Sequence, residues 1–246
     1  MKSILRKAAP PLAVVMSAAV LGGCSGSSDG PGTPSASRPV APGETGRQVC
    51  SGLLGADGGV ALEQLTKSAR FTESPGSGPT EVRSVADAAE KLRNSGLPAT
   101  GSGERLYLCL AEPGNPGGRG DFQVSTRWTR IKAGDRTWHS TAISSVYDLT
   151  AHGVHSSTAP YATASQTWGA VSLHCPVGGG AAPGVALDVE LRTSHGSVTR
   201  DEEPVRPGLL LKAAHGAALA VAREVGCLTE SSLPETLKAP TPLPKG

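Results

Sequence analysis

The chain has 246 residues, with 23 basic and 21 acidic side chains and a formal net charge of +2. This near balance of charge excludes a strongly basic surface, so we predict no nucleic-acid partner. Only 3% of the residues are aromatic, which limits the apolar area that a core can bury, so the fold is expected to need covalent support.

The amino-terminal segment has the pattern of an export signal. Lys2, Arg6 and Lys7 form a positively charged start, and residues 8–21 form a nearly uncharged apolar run. This run is shorter than the roughly 20 residues that span a bilayer, but it matches the apolar region of a secretory signal. We therefore predict that residues 1–23 are a signal peptide, whose removal leaves 20 basic and 21 acidic residues.

The apolar run ends in a short motif, Leu21-Gly22-Gly23-Cys24. This motif resembles the lipobox of bacterial lipoproteins, in which an aliphatic residue and two small residues precede a cysteine. The resemblance implies that the Cys24 thiol carries a diacylglyceryl group and becomes the first residue after cleavage. Since two acyl chains anchor a protein stably, we expect attachment to the extracytoplasmic face of the cell membrane. The alternative is ordinary secretory cleavage, with Cys24 as a bystander.

Two segments are too poor in large apolar residues, or too rich in proline, to fold as regular elements. Residues 24–46 hold the lipidated cysteine and a Ser-, Gly- and Pro-rich stretch, which predicts a flexible tether of roughly 25 Å root-mean-square length. Residues 233–246 contain four prolines that exclude a helix, so we predict a Pro-rich tail. The residues between them, 47–232, are predicted to be globular, either as one unit or as two halves, 47–110 and 122–232.

Apolar periodicity predicts an α+β fold. Helical spacing of apolar residues predicts three helices, and alternation of apolar and polar residues predicts four strands, of which the last two form an antiparallel pair. This order indicates a largely antiparallel sheet with two or three packed helices. The predicted helices are 59–70, 82–95 and 209–226, the strands are 104–110, 122–131, 168–175 and 185–192, residues 111–120 are a loop, and 138–149 are an irregular strand or loop.

Four cysteines follow Cys24, namely Cys50, Cys109, Cys175 and Cys227. An even number in an exported domain indicates two disulfides, for which three pairings exist. We favour Cys50–Cys109 and Cys175–Cys227, because each pair brackets one predicted helix-and-strand unit and the intervening lengths are similar, 58 and 51 residues. The wide spacing, without a C-x₂-C pair, argues against a zinc site.

Five stretches of the chain carry cysteines or apolar periodicity, namely VCSGLL (49–54), LYLC (106–109), VSLHCP (171–176), VALDVELRT (185–193) and LLLKAAHGAALAVAREVGC (209–227). These stretches resemble a group of uncharacterised cell-envelope lipoproteins from actinomycete-type bacteria. The resemblance implies an envelope lipoprotein with two disulfides. Its motifs are cysteines and apolar periodicity, so it implies no catalytic residue.

Asp148, His152 and His155 are the strongest candidates for chemistry. A pair of histidines three residues apart, with a carboxylate nearby, can bind a metal when it lies on one helical turn. Gly153 disfavours such a helix, and no fourth ligand is evident in the sequence. We therefore assign no metal, no cofactor and no catalytic residue.

The remaining histidines and the tryptophans are expected to have structural roles. His174 is predicted to face solvent, and His215 to be a satisfied interhelix histidine in the long helix. Trp128, Trp138 and Trp168 are predicted to anchor the core, with the lining of a ligand cleft as the alternative.

These observations predict a lipid-anchored extracytoplasmic protein that is not an enzyme. Our first hypothesis is a binding or accessory protein of the cell envelope, with an apolar or aromatic-lined groove for an envelope protein or ligand. The alternative is an envelope hydrolase or metal-dependent enzyme that brings Asp148, His152 and His155 together in one pocket. A purely structural spacer would have no pocket.

Overall fold

The computed structural model describes residues 43–74, 80–96, 101–114, 120–130, 143–149, 160–178, 184–194, 203–238 and 242–243. The predicted signal peptide, Cys24 and most of the predicted tether lie outside these residues. None of the described helices combines the length and the hydropathy that a membrane span requires.

The described strands form one sheet of seven. They are β1 Phe71–Glu73, β2 Leu106–Pro113, β3 Phe122–Arg130, β4 Ser145–Asp148, β5 Tyr161–Ala164, β6 Trp168–Leu173 and β7 Val185–Thr193. Their order in the sheet is β1-β2-β3-β7-β6-β5-β4, and every neighbouring pair is antiparallel. The predicted α+β class and the predicted pairing of β6 with β7 are therefore confirmed.

The centre of the sheet is the pair of β3 and β7, in which Phe122 lies opposite Thr193. The alternation predicted for β3 is confirmed, because Phe122, Val124, Thr126 and Trp128 are all buried. Alternate residues of β7 are buried in the same way, so one face of the sheet carries the core.

Helices α2 Val85–Asn94 and α3 Arg206–Val225 pack on that face of the sheet, and α1 Gly55–Thr66 packs on α3. A short 3-10 helix, η1, spans Val49–Gly52. A Cβ atom added to Gly169 in β6 would lie 2.8 Å from the carbonyl carbon of Leu210 in α3. A Cβ atom added to Gly216 would lie 1.8 Å from the carbonyl oxygen of Leu54, next to α1. Glycine at these two positions therefore lets α3 pack closely between the sheet and α1.

The helix ends differ from their predicted positions for local reasons. Helix α2 begins at Val85 because the Ser84 hydroxyl accepts a hydrogen bond from the backbone N–H of Asp87 at 3.1 Å, which makes Ser84 the N-cap. Helix α3 begins three residues before its predicted start, with a proline in its first turn. It ends at Gly226, whose φ of 91° is readily adopted only by glycine.

The observed strands differ from the predicted ones at two points. The predicted loop at 111–120 is wrong at its start, because Ala111–Pro113 continue β2 and pair with β1. Strands β1 and β5 were not predicted at all. The irregular segment predicted at 138–149 contains β4 at its end, while its first part lies outside the described residues.

The fold also extends beyond both predicted boundaries. The backbone N–H of Glu44 donates to the Phe71 carbonyl at 3.0 Å, so the last residues of the predicted tether pair with β1. In the predicted tail, Leu233 is buried, and the N–H of Leu243 donates to the Val146 carbonyl at 2.7 Å. Parts of both segments are therefore docked on the domain.

Both predicted disulfides are confirmed. Cys50–Cys109 joins η1 to β2, with the Cα atoms 5.6 Å apart. Cys175–Cys227 joins the segment after β6 to the segment after α3, with the Cα atoms 5.2 Å apart. Each bridge therefore fastens a helical segment to the sheet.

Candidate functional site

A cleft of about 690 Å³ lies between α2 and the neighbouring ends of β2 and β3. We call it the α2 cleft. Its floor is apolar, and its rim belongs to α2 and to the backbone segments 81–83 and 103–106. The floor consists of buried side chains, namely Val82, Leu92, Leu106 and Trp128.

Trp128 positions the floor of the α2 cleft. Its indole Nε1 donates a hydrogen bond to the Leu92 carbonyl oxygen at 2.9 Å. Its own carbonyl accepts a hydrogen bond from the Gly103 N–H at 2.7 Å, which fixes the opposite wall. Trp128 is therefore the core anchor that we predicted and also borders a cleft, while Trp168 is half-buried and Trp138 lies outside the described residues.

The rim of the α2 cleft is charged. Four carboxylates and two cationic side chains line it, so its formal charge is negative. An apolar floor with a polar rim suits a ligand that buries an apolar part and leaves a polar or cationic part at the edge. The charged rim residues are Glu81, Arg83, Asp87, Glu90, Lys91 and Glu104.

A second cavity of about 370 Å³ lies where the start of α1 meets α3, and His215 lines it. His215 is buried, and its Nε2 lies 2.8 Å from the Pro234 carbonyl oxygen, at hydrogen-bond distance. Burial lowers the pKa of His215, an effect that the Pro234 contact and the Asp57 carboxylate oppose. His215 is thus a satisfied histidine, as predicted, but its partner lies in the carboxy-terminal segment and not in another helix.

The residues predicted as an alternative catalytic group are only partly described. Asp148 ends β4, opposite Tyr161 in β5. His152 and His155 lie outside the described residues, so their convergence with Asp148 stays a prediction. His174 follows β6 and is half-buried, which is less exposed than we predicted.

Cys50, Glu73 and Cys109 place potential ligand atoms within 4.8 Å of one another. The two sulfur atoms form a disulfide, so neither is a thiolate that could bind a metal. The Glu73 carboxylate accepts a hydrogen bond from the backbone N–H of Cys50. Burial and the adjacent Glu73 raise the pKa of Glu44. This group is therefore best explained as a structural contact around the disulfide.

A cluster of charged side chains, not predicted from the sequence, lies on the other side of the sheet. Leu191 in β7 pairs with Gly169, which contacts α3. Because successive side chains of a strand alternate between faces, Glu190 and Arg192 lie on the face away from α3. We call this cluster the arginine face, and its members are Arg105, Arg127, Asp188, Glu190 and Arg192.

Glu190 links two arginines of this face. Its Oε1 accepts a hydrogen bond from Arg105 Nη1 at 3.1 Å and another from Arg192 Nε. The Glu190 side chain is 12% exposed and the Arg192 side chain 53% exposed, so the cluster reaches from a shielded carboxylate to solvent.

Asp188 lies opposite Arg127 in the register of β3 and β7. Its Oδ1 accepts a hydrogen bond from the Ser172 hydroxyl. Burial raises the pKa of Asp188, while hydrogen bonds from Ser172 and Thr129 and the nearby arginines oppose this shift. Burial, and then repulsion by Arg105, lower the pKa of Arg127.

Comparison with protein-family models, curated proteins and solved structures finds no match for this chain. Its function is therefore inferred from the chemistry of the two surfaces described above.

Proposed function

We propose that this protein is a non-catalytic binding or accessory lipoprotein of the cell envelope. A diacylglyceryl group on Cys24 would hold it on the extracytoplasmic face of the membrane. The motif that ends at Cys24 supports this location. The two disulfides support it as well, because disulfides persist mainly in oxidising compartments outside the cytosol.

The α2 cleft is the observation that supports binding. Its volume of about 690 Å³ lies within the usual range for ligand sites, roughly 300–1,000 Å³. Its floor combines an aromatic side chain with aliphatic ones, and these supply contacts that are shielded from water. Its charged rim would orient an envelope protein segment or ligand whose apolar part lies on the floor.

Site-specific crosslinking tests this proposal. A photoreactive amino acid at Asn94, which is exposed on the rim, should give one discrete adduct in intact cells. The same amino acid at Glu230, which is exposed but not part of the rim, should not give this adduct. Charge reversal by Glu104→Lys on the rim should reduce the yield of the adduct at Asn94.

Equal adducts from Asn94 and Glu230 would contradict binding in the α2 cleft, as would an adduct that Glu104→Lys leaves unchanged. Glu104 is exposed, so its replacement is expected to leave the fold intact. Circular dichroism of each variant checks this point.

A further inference from the structure

Arg127 is the unusual member of the arginine face. Its side chain is half-buried, yet its guanidinium donates no hydrogen bond to any residue that the structure describes. A guanidinium carries five N–H donors in a planar fork. These donors are not used within the described fold, so the guanidinium is able to bind an acceptor from outside it.

The charges of the arginine face do not balance. The face has three guanidinium groups and two carboxylates. Glu190 is shared by Arg105 and Arg192, and Asp188 accepts hydrogen bonds from hydroxyl groups and also attracts Arg127. One positive charge is therefore in excess, and a bound anion would relieve the repulsion within the cluster.

Further groups surround this excess charge. Tyr107 in β2 lies opposite Ser125 in β3, and Ser125 lies opposite Glu190 in β7, so Tyr107 is on the same face. Tyr107 interacts electrostatically with both Arg127 and Arg192. Donors thus come from three adjacent strands. A tetrahedral oxyanion can accept from several directions, which a planar carboxylate does less well.

We propose that the arginine face binds a phosphate group, with Arg127 as its main donor and Arg192 and Tyr107 beside it. The phosphate is either free in solution or part of an anionic lipid headgroup, since these two sources share the same chemistry. The site lies on the other side of the sheet from the helices and does not depend on the binding proposed for the α2 cleft.

Calorimetric titration of the full-length chain with inorganic phosphate, at constant ionic strength and in non-ionic detergent, tests the proposal. We expect Arg127→Gln to weaken phosphate binding at least about tenfold, which is the usual effect of losing a charged hydrogen bond. Arg47→Gln is the matched control. It removes the same charge from an exposed residue beside α1 and should leave the affinity unchanged.

Vesicles distinguish the two sources of phosphate. The chain with Cys24→Ser, which lacks the predicted anchor, is sedimented with phosphatidylglycerol vesicles or with phosphatidylcholine vesicles. Binding to the anionic vesicles that Arg127→Gln abolishes supports a lipid headgroup. Binding of inorganic phosphate without vesicle binding supports a soluble phosphate ligand.

Three results would overturn the proposal. These are equal phosphate affinity in the wild type and in Arg127→Gln, no binding of either probe, and acetate binding as tight as phosphate binding. If Arg127→Gln fails to fold, Arg192→Gln is used to test the proposal instead. The Arg192 side chain is 53% exposed, so its replacement is expected to be tolerated. Unchanged phosphate affinity in that folded variant would then overturn the proposal.

Discussion

The indole Nε1 of Trp128 donates a hydrogen bond to the carbonyl oxygen of Leu92 at 2.9 Å. This contact joins the central strand β3 to the last turn of α2, where carbonyl groups lack partners within the helix. The same carbonyl also accepts the Ser95 hydroxyl at 3.0 Å. Trp128 thus supports the helix that forms one wall of the α2 cleft.

Replacing Trp128 with phenylalanine should lower the free energy of unfolding by about 1–3 kcal/mol. The change removes one hydrogen bond and leaves a small cavity. Urea denaturation followed by circular dichroism measures the effect. Trp168→Phe, at a half-buried position, is the control and should cost less than about 1 kcal/mol. Equal losses in the two variants would show that Trp128 has no special role.

The two disulfides should differ in their resistance to reduction. Cys175 and Cys227 are fully buried, whereas Cys109 is half-buried. We expect mild reduction of the folded chain to open Cys50–Cys109 first, because a thiolate must reach the sulfur that it attacks. Alkylation and peptide mapping at successive times give the order, and earlier opening of Cys175–Cys227 would contradict it.

Removing either disulfide should lower the free energy of unfolding. The chain-entropy model gives a stabilisation of about 4 kcal/mol for loops of this length. The paired alanine variants, measured by urea denaturation, test this value. The variant without Cys175–Cys227 should lose more stability, because it also leaves a cavity in the core.

Stability should depend on pH through His215. Burial lowers the pKa of His215 in the folded state, so the unfolded chain binds the proton more readily. The free energy of unfolding therefore rises with pH between the folded-state pKa and the ordinary pKa of His215. The contribution of neutral, buried His215 to the stability of the fold is complete above the ordinary pKa of about 6.5. It is lost as the pH falls toward and through the folded-state pKa.

Urea denaturation of the wild type and of His215→Gln between about pH 5 and pH 7 tests this effect. The wild type should show the steeper rise in stability, while the variant retains only the dependence due to other groups. Parallel curves for the two proteins would show that His215 does not contribute.

His152 and His155 test the enzymatic alternative. If the protein acts by binding, the double variant His152→Ala, His155→Ala should give the same crosslinked adduct at Asn94 as the wild type. It should also support the same growth as the wild type in cells that depend on the protein. Loss of growth with an unchanged adduct would favour a hydrolase or a metal-dependent enzyme, and Asp148→Asn would then be expected to have the same effect.

The strongly patterned elements could be predicted from the sequence, and the short ones could not. Strand β3 was predicted because its nine residues alternate clearly. Strand β5, with the sequence YATA, is too short and too rich in alanine to show a pattern. Strand β1 has three residues, and its pairing with β2 and with Glu44 defines it.

The two candidate surfaces depend on contacts between distant parts of the chain. Arg105 lies just before β2, 85 residues from Glu190 in β7, and the two meet only because β2 and β7 lie on either side of β3 in the sheet. Trp128 could be predicted as a core anchor, but its place beside a cleft depends on how α2 packs against β3. Alternation of apolar and polar residues showed which face of each strand is buried, but it did not show the order of the strands.

Metabolic labelling with a fatty-acid analogue, followed by cell fractionation, tests the central claim of a lipid-anchored envelope protein most directly. We expect the wild type to carry the label and to sediment with membranes, and the Cys24→Ser variant to be unlabelled. Label retained in Cys24→Ser would contradict the claim. So would an unlabelled wild type that stays in the soluble fraction with its four remaining cysteines reduced.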